Sequence, residues 1–483
     1  MYRRRTMVVA IAAGLIVAAC GSSGNEASND TTLPTAGSTA PGQTVPDLSS
    51  QCDLAALDAA GGPVEITYWH AMTRANEEAL VALTDDFNSS QDQVEVTLVN
   101  QTSYGDNFTK FETAYGTDEA PDLVQLEDTA LQRLVDAKNA IVPAQACLDA
   151  EGADKTDFVD RVANYYSIGG VLYPMPFNVS NPVFYYNKLA FEAAGLDPES
   201  PPTTFSEVRS MAEAIQGAGF DFGFAFKRDP WVLEQFLSLA GEPYVNNDNG
   251  RSERATEVAF ETDTAVSVLE WLQSGVDDGV FMTNPASGTS GFDNLLSICN
   301  GENAMTIDTS AALGTATQVL EAAQCAADVE VGVAPLPLPD GVSADAGGVL
   351  VGGAANFLPA NGDPARLAAA YRYAAFLAEP ANQAEWAAAT GYIPVRKSSA
   401  DSQVLQDLWA ESPGYKVAFD QLQAGADNVA TAGPVIGDYK GVRDALVAAL
   451  ESLLLEGADP PTVLADAAAD ANERIQAYNA TVS

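Results

Sequence analysis

Three short stretches near the start of the chain, VEITYW (64–69), VEVTLV (94–99) and DLVQLE (122–127), are rich in β-branched and aromatic residues, and helix-length segments separate them. Between the first two, Leu80, Leu83 and Phe87 recur on one helical face behind Thr73, a candidate N-cap. Strands joined through helices pair in parallel, so this alternation calls for a mostly parallel sheet with helices on both faces. The pattern resumes further on. Thr204-Phe205-Ser206-Glu207 after Pro201-Pro202 reads as a capping box, in which Thr204 accepts from the third helical amide and Glu207 reaches back. Asp229-Pro230-Trp231 opens another helix, with an N-cap and a proline at the first helical position. A helix GFDNLLSIC and the strands AMTID (304–308) and VEVGVAPLP follow. Across 483 residues this fits two α/β lobes better than one oversized sheet.

The N-terminus carries a different signal. Arg3, Arg4 and Arg5 precede MVVAIAAGLIVAA, an apolar run too short for a stable membrane span but suited to a signal-peptide core. Its end, Val17-Ala18-Ala19-Cys20-Gly21, resembles a bacterial lipobox, which implies cleavage after residue 19 and a lipid on Cys20. Residues 21–50 are nearly all Gly, Ser, Thr, Pro, Asn and acidic residues, and read as a disordered tether. The globular part is therefore expected to be extracytoplasmic, held to the outer face of the cell membrane by lipid.

Twenty-three Lys and Arg against sixty-six Asp and Glu give a formal charge of −43 with no basic block, which disfavours nucleic acid and anionic membrane surfaces as partners. Apart from Cys20 there are four cysteines, Cys52, Cys147, Cys299 and Cys325, an even number that suits two disulfides in an exported chain. Of the three possible pairings, Cys52 with Cys147 and Cys299 with Cys325 keeps each bridge within one structural unit. No C-x-x-C spacing points to thiol redox chemistry or structural zinc, and no metal or cofactor is expected. Phosphate-loop, zinc-protease, nucleophile-elbow and dinucleotide motifs are missing. The sole histidine, His70 in EITYWHAMT, has no nucleophile turn or metal-ligand neighbours to suggest catalysis, and is expected to pack where the first strand enters the first helix. A two-carboxylate glycosidase has no short signature and stays open on motifs alone.

The stretch YPMPFNVSNPVFYYNK (173–188) is punctuated by proline and too apolar for an exposed loop. It reads either as backbone crossing between lobes, with Asn178, Ser180 and Asn181 offering hydrogen bonds, or as a buried edge strand. Together with WH (69–70), CNGENAMTIDTSAAL, VGVAPLP, VGGAANF, LAEPANQAEWAAATGYIPV and VRDALVAALESLL, taken in order, it resembles the extracytoplasmic solute-binding proteins of ABC importers from about residue 63 to the end. Within them the chain is most similar to the glycerol-3-phosphate-binding members. The resemblance implies a two-lobed, type II periplasmic-binding-protein-like α/β fold with the ligand cleft between lobes. Crossings are expected near 176–183, 349–353 and 392–396, with lobe 1 at 62–175 and 354–391 and lobe 2 at 184–348 and 397–483.

The resemblance also implies a site. Tyr104 in QTSYGDNF matches a ligand-facing tyrosine, and Asp128 matches an acidic position, with Glu127 beside it. Ser180 matches a crossing-segment serine, and Trp231 stands in a tryptophan-bearing stretch as a flat wall for a glycerol or choline group. Thr309 aligns with a family serine, with Ser310 adjacent; Gly353 is read as letting backbone approach ligand. Tyr392 is aimed at phosphate, and Arg443 offers a planar guanidinium to it. The implied protein is a monomeric, non-enzymatic receptor that passes glycerol-3-phosphate or a glycerophosphodiester such as glycerophosphocholine to ABC permease subunits. The diester is favoured by the scarcity of cleft cations and the Glu127-Asp128 pair. A di- or oligosaccharide receptor and an exported glycerophosphodiester hydrolase are the alternatives.

Overall fold

The computed structural model describes residues 47–285, 292–320 and 325–482. Cys20, the apolar run and most of the expected tether lie outside the described residues. The end of that tether is ordered, however. Ser49–Gln51 form a 3-10 turn, Cys52 beside it is buried, and the short helix Ala55–Ala59 packs on the helix Pro364–Leu377.

Strands β1 (Val64–His70), β2 (Val94–Asn100) and β3 (Leu123–Glu127) are parallel, as their helical connections require. A short β4 (Ile141–Val142) and a small hairpin of β5 (Ser167–Ile168) and β6 (Val171–Leu172) come next. The proline-punctuated stretch then supplies β7 (Met175–Ser180) and β8 (Pro182–Asn187), broken only at Asn181. Beyond it lie β9 (Phe224–Lys227), β10 (Phe281–Asn284), β11 (Met305–Thr309), β12 (Val331–Ala334) and β13 (Gly352–Pro359). One sheet is ordered β2-β1-β3-β13-β4, with β7 also on β13; the other is ordered β10-β9-β11-β8-β12.

The sheets are mixed rather than mostly parallel, and the crossing explains why. β8 enters the second sheet from the edge where β11 ends, so it runs antiparallel to β11 and β12. β13 enters the first sheet from the edge where β3 ends, and is antiparallel to β3, β4 and β7. Every residue of β7 and β8 is buried. The stretch is crossing backbone and buried strand at once, but not an edge strand throughout, since β8 lies inside its sheet between β11 and β12. Pro176 lies where the β7–β13 register shifts, a bulge that accommodates its missing N–H.

Leu80, Leu83 and Phe87 are buried as the periodicity predicts. Thr73 stands at the N-cap, yet its side chain makes no capping bond; the helix starts irregularly, with Arg74 at φ 54°. Thr204 accepts from the Glu207 amide at 3.3 Å, while the Glu207 carboxylate takes the amide and hydroxyl of Thr203, each at 2.7 Å. Asp229 accepts from the Trp231 amide at 3.0 Å. The helix Gln403–Glu411 packs both on Pro380–Thr390 and on the 3-10 turn Pro413–Lys416, which itself meets β12.

Both expected disulfides are formed, Cys52–Cys147 and Cys299–Cys325, closing separations of 95 and 26 residues. The longer loop restricts the unfolded chain more. In urea unfolding, removal of Cys52–Cys147 by a double alanine change is expected to cost about 4.7 kcal/mol, against about 3.5 kcal/mol for the other bridge.

Candidate functional site

Open α/β sheets present loops and helix N-termini at the carboxyl ends of their parallel strands, where free amides and side chains can meet a ligand. Five of the expected residues fall there. Tyr104 starts the helix Tyr104–Ala114 after β2, and Asp128 opens a turn after β3. Trp231 lies in the first turn of the helix Pro230–Leu239 after β9, Thr309 ends β11, and Ser310 follows it. The crossing segments bring in the next three. Ser180 pairs with Gly352 and Val179 with Gly353 across β7 and β13, and the amide beside Tyr392, that of Ile393, donates to the Val179 carbonyl at 2.7 Å. The Ser310 amide donates to the Asn181 carbonyl at 2.9 Å, drawing the end of β11 to the same crossing. Arg443 reaches in from the helix Tyr439–Glu456.

One wall is a polar relay. The Gln125 side chain accepts from the Ala71 amide and donates to Asn178 Oδ1, both at 3.0 Å. Asn178 Nδ2 donates to Tyr104 Oη at 2.9 Å, which lies 3.3 Å from Tyr392 Oη. Tyr392 is stacked on Trp386. His70 is 2% exposed, and its Nδ1 accepts from the Met72 amide at 3.3 Å. Burial lowers its pKa against the opposing pull of Glu77, which favours the neutral imidazole at the end of β1.

Gly353 has φ 91°, and a Cβ there would lie 2.2 Å from the Asn178 carbonyl oxygen. Its lack of a side chain is thus demanded by the neighbouring strand and a left-handed backbone. At Gly352, a Cβ would come within 2.5 Å of the Trp231 ring, so that half-buried indole packs on the crossing strand. Between the two hydroxyls, Thr309 Oγ1 accepts from the Ala311 amide at 3.2 Å, whereas buried Ser310 Oγ has no hydrogen-bond partner among the described residues.

The charge at the centre differs most from expectation. Arg443 does not wait as a free guanidinium. It makes two parallel bonds to Glu234, at 2.9 and 2.8 Å, and stands 3.9 Å from Asp128 and 4.0 Å from Glu127, with the Tyr439 ring beneath it at 4.7 Å. Burial alone would pull its pKa down, but Glu234 more than offsets this and holds it well above the usual range. Tyr439 Oη donates to the same carboxylate at 3.0 Å, and Tyr165 Oη donates to Asp128 at 2.6 Å. Burial raises Asp128 from the ordinary 3.8 to about 6, against the opposing pull of Arg443. Glu234 was missed from sequence, although a lone carboxylate in the apolar helix PWVLEQFLSL was a usable signal. Among the described residues, no group of three or more His, Cys, Asp or Glu is arranged to hold a metal ion.

Removing Glu234 leaves a buried cation facing more distant partners. Glu234→Ala is expected to lose about 3–5 kcal/mol in urea unfolding. For Asp128 the sign is opposite to that of a paired surface carboxylate. Its folded-state pKa is raised, so its favourable contribution is complete below pH about 4 and lost as pH rises to about 6. Thermal melts across that window should show wild-type stability falling with pH relative to Asp128→Asn; parallel curves would remove the assignment.

The bacterial extracellular solute-binding protein family matches residues 82–415. The chain is 28% identical over 439 residues to the sn-glycerol-3-phosphate-binding periplasmic protein UgpB of Pectobacterium atrosepticum, covering 89% of this chain and 96% of that protein. It is 27% identical over 432 residues to UgpB of Escherichia coli, covering 88% and 95%. Among solved structures, UgpB of Mycobacterium tuberculosis in complex with glycerophosphocholine superposes with a TM-score of 0.70 at 23% identity, over 87% of this chain and 99% of that one. The GacH receptor of Streptomyces glaucescens, solved unliganded and with acarbose, gives 0.70 at 19% identity, over 86% and 99%. These likenesses show the two-lobed fold of periplasmic binding proteins, and among the described residues no helix is long and apolar enough to cross a membrane. With the family match spanning most of the chain, the protein belongs to the bacterial extracellular solute-binding proteins.

Proposed function

We propose that the protein is the receptor of an ABC importer, tethered by a lipid on Cys20, that captures glycerol-3-phosphate or a glycerophosphodiester and presents it to the permease as a monomer. The carrying observation is one guanidinium, Arg443, set among Glu234, Asp128 and Glu127, with Glu127 in turn acting electrostatically on Tyr104, whose hydroxyl lies against that of Tyr392. Carboxylates suit glycerol hydroxyls or a cationic head group. A phosphodiester carries a single negative charge, so it meets less repulsion there than the dianion of a monoester. Trp231 on Gly352 supplies an apolar face for glycerol or choline. Ser180, Ser310 with Thr309 beside it, and the backbone at Gly353 complete the proposed contacts. Named relatives bind sn-glycerol-3-phosphate, and one structural neighbour holds glycerophosphocholine, which supports this ligand class.

The two lobes meet around this cleft. Arg443 faces Asp128 across it, Asn76 Nδ2 donates to the Ala311 carbonyl at 3.3 Å, and Arg254 and Tyr478 both reach Asp136, at 2.8 and 2.9 Å. A ligand touching both walls favours this closed arrangement over an open one, and the permease would read that difference without any reaction being catalysed. A second reading, an oligosaccharide receptor, draws on the same Trp231 and carboxylates and on the acarbose-binding neighbour.

Titration calorimetry of the purified protein with glycerophosphocholine, sn-glycerol-3-phosphate and maltose separates these readings. The diester should bind most tightly, and Arg443→Ala should weaken it by about 10- to 100-fold. Binding of maltose with neither phosphorylated compound bound would move the protein to the sugar reading.

A further inference from the structure

Arg443 is held from one side only. Its Nε and Nη2 donate to the two oxygens of Glu234, and Tyr439 Oη, from the helix that carries Arg443, donates to the same carboxylate. The other edge of the guanidinium is different. Nη1 stands 4.0 Å from Glu127 and Nη2 3.9 Å from Asp128, outside hydrogen-bond reach, so the uncommitted donors are those of Nη1 and the second N–H of Nη2. The Glu234 side chain is fully buried, whereas that of Arg443 keeps 14% of its surface. Glu234 is also firmly placed, because its helix, Pro230–Leu239, is fastened to the segment leading into β13. Gln235 accepts from the Leu350 amide at 2.8 Å, and Ser238 donates to the Gly348 carbonyl at 2.7 Å. Trp231, three residues before Glu234 and on the same helical face, lies against Gly352.

We propose that Glu234 is the positioning residue that decides which phosphorylated solute Arg443 accepts. This rests on the phosphorylated-glycerol reading and deepens it. Two effects come from the one carboxylate. By taking the Nε side, it fixes the plane of the guanidinium and leaves the Nη1–Nη2 edge for the solute. By pairing with the charge, it removes the surplus that would hold a dianion: with Glu234 counted, Arg443 faces three carboxylates, Glu234, Glu127 and Asp128. Its field spreads further, since burial raises the Glu127 and Asp229 carboxyls and the Glu234 charge adds to the rise in both. A phosphate monoester, a dianion above a second pKa of about 6, meets that negative surplus with twice the charge of a diester. Selectivity for the diester is then set by a buried residue that touches no solute, through the edge and the charge it leaves on Arg443.

The test titrates wild type, Glu234→Gln and Glu234→Asp calorimetrically with sn-glycerol-3-phosphate, glycerophosphocholine and maltose, at about pH 8 and about pH 5, with a thermal melt of each form. Glu234→Gln keeps the shape and an acceptor but not the charge, so at about pH 8 the affinity ratio of monoester to diester should rise about 5-fold over wild type. At about pH 5 the monoester is largely a monoanion too, and the variant should return to the wild-type ratio. Glu234→Asp keeps the charge but shortens the reach, so both ligands should weaken together by about 3- to 10-fold at an unchanged ratio. A purely structural residue would weaken both ligands alike in Glu234→Gln at either pH; that result, or a wild-type ratio at about pH 8, overturns the proposal. If Glu234→Gln melts below the titration temperature, wild type and Glu234→Asp decide. A diester preference that shrinks from about pH 8 to about pH 5, with both ligands weakened in Glu234→Asp, supports the proposal, and a flat preference or wild-type affinities in Glu234→Asp overturn it. Wild type that binds maltose and neither phosphorylated compound overturns the phosphorylated-glycerol reading and the proposal together, whereas phosphorylated ligands bound at an unchanged ratio in Glu234→Gln overturn the proposal alone.

Discussion

The fold hangs on the crossing of backbone at Ser180-Asn181-Pro182. β7 ends in one sheet and β8 begins in the other with one residue between them, and every residue on both sides is buried. Asn181 satisfies this tight passage. Its Nδ2 donates to the Ala418 carbonyl at 2.9 Å, its Oδ1 accepts from Gln421 at 3.1 Å, and its carbonyl accepts the Ser310 amide. Because the crossing must leave one sheet and enter the other at the edges that face each other, it fixes which strand ends line the cleft. It also dictates the antiparallel sense of β8 and β13, and it forces Gly353, pressed against the Asn178 carbonyl, to be a glycine.

Around that crossing the protein concentrates charge in a way its overall composition conceals. A chain of formal charge −43 keeps most of its carboxylates where water screens them. In the cleft it sets three of them around one guanidinium, where low polarity makes each contact count for more. The Arg443–Glu234 pair is the anchor of this group. Tyr439 and Tyr165 satisfy carboxylate oxygens from either side, so the network is closed on itself before any ligand enters.

Much of the architecture was legible in the chain. Strand positions followed from β-branched runs, the helices from Leu80, Leu83 and Phe87 and from the caps at Thr204 and Asp229, and the disulfide pairing from keeping each bridge in one unit. The candidate site was legible because its residues lie in short stretches just past strand ends, which also carry the resemblance to solute-binding proteins. What escaped were residues whose meaning depends on neighbours distant in sequence. Glu234 has no visible partner until Arg443 arrives from 209 residues away. Thr73 shows the converse, since a suitable capping residue does not cap when the next residue bends the helix start.

The sequence by itself determined the alternation of strands and helices, because side-chain periodicity and backbone capping act within a few residues. It also determined the family, through ordered motifs along the chain. Only the tertiary structure decided which charges are neutralised. It gave Arg443 to Glu234 and set the glycine at 353 against a neighbouring carbonyl. The reason is that electrostatic pairing and steric contact act through space, at distances of a few ångströms set by how the two sheets meet.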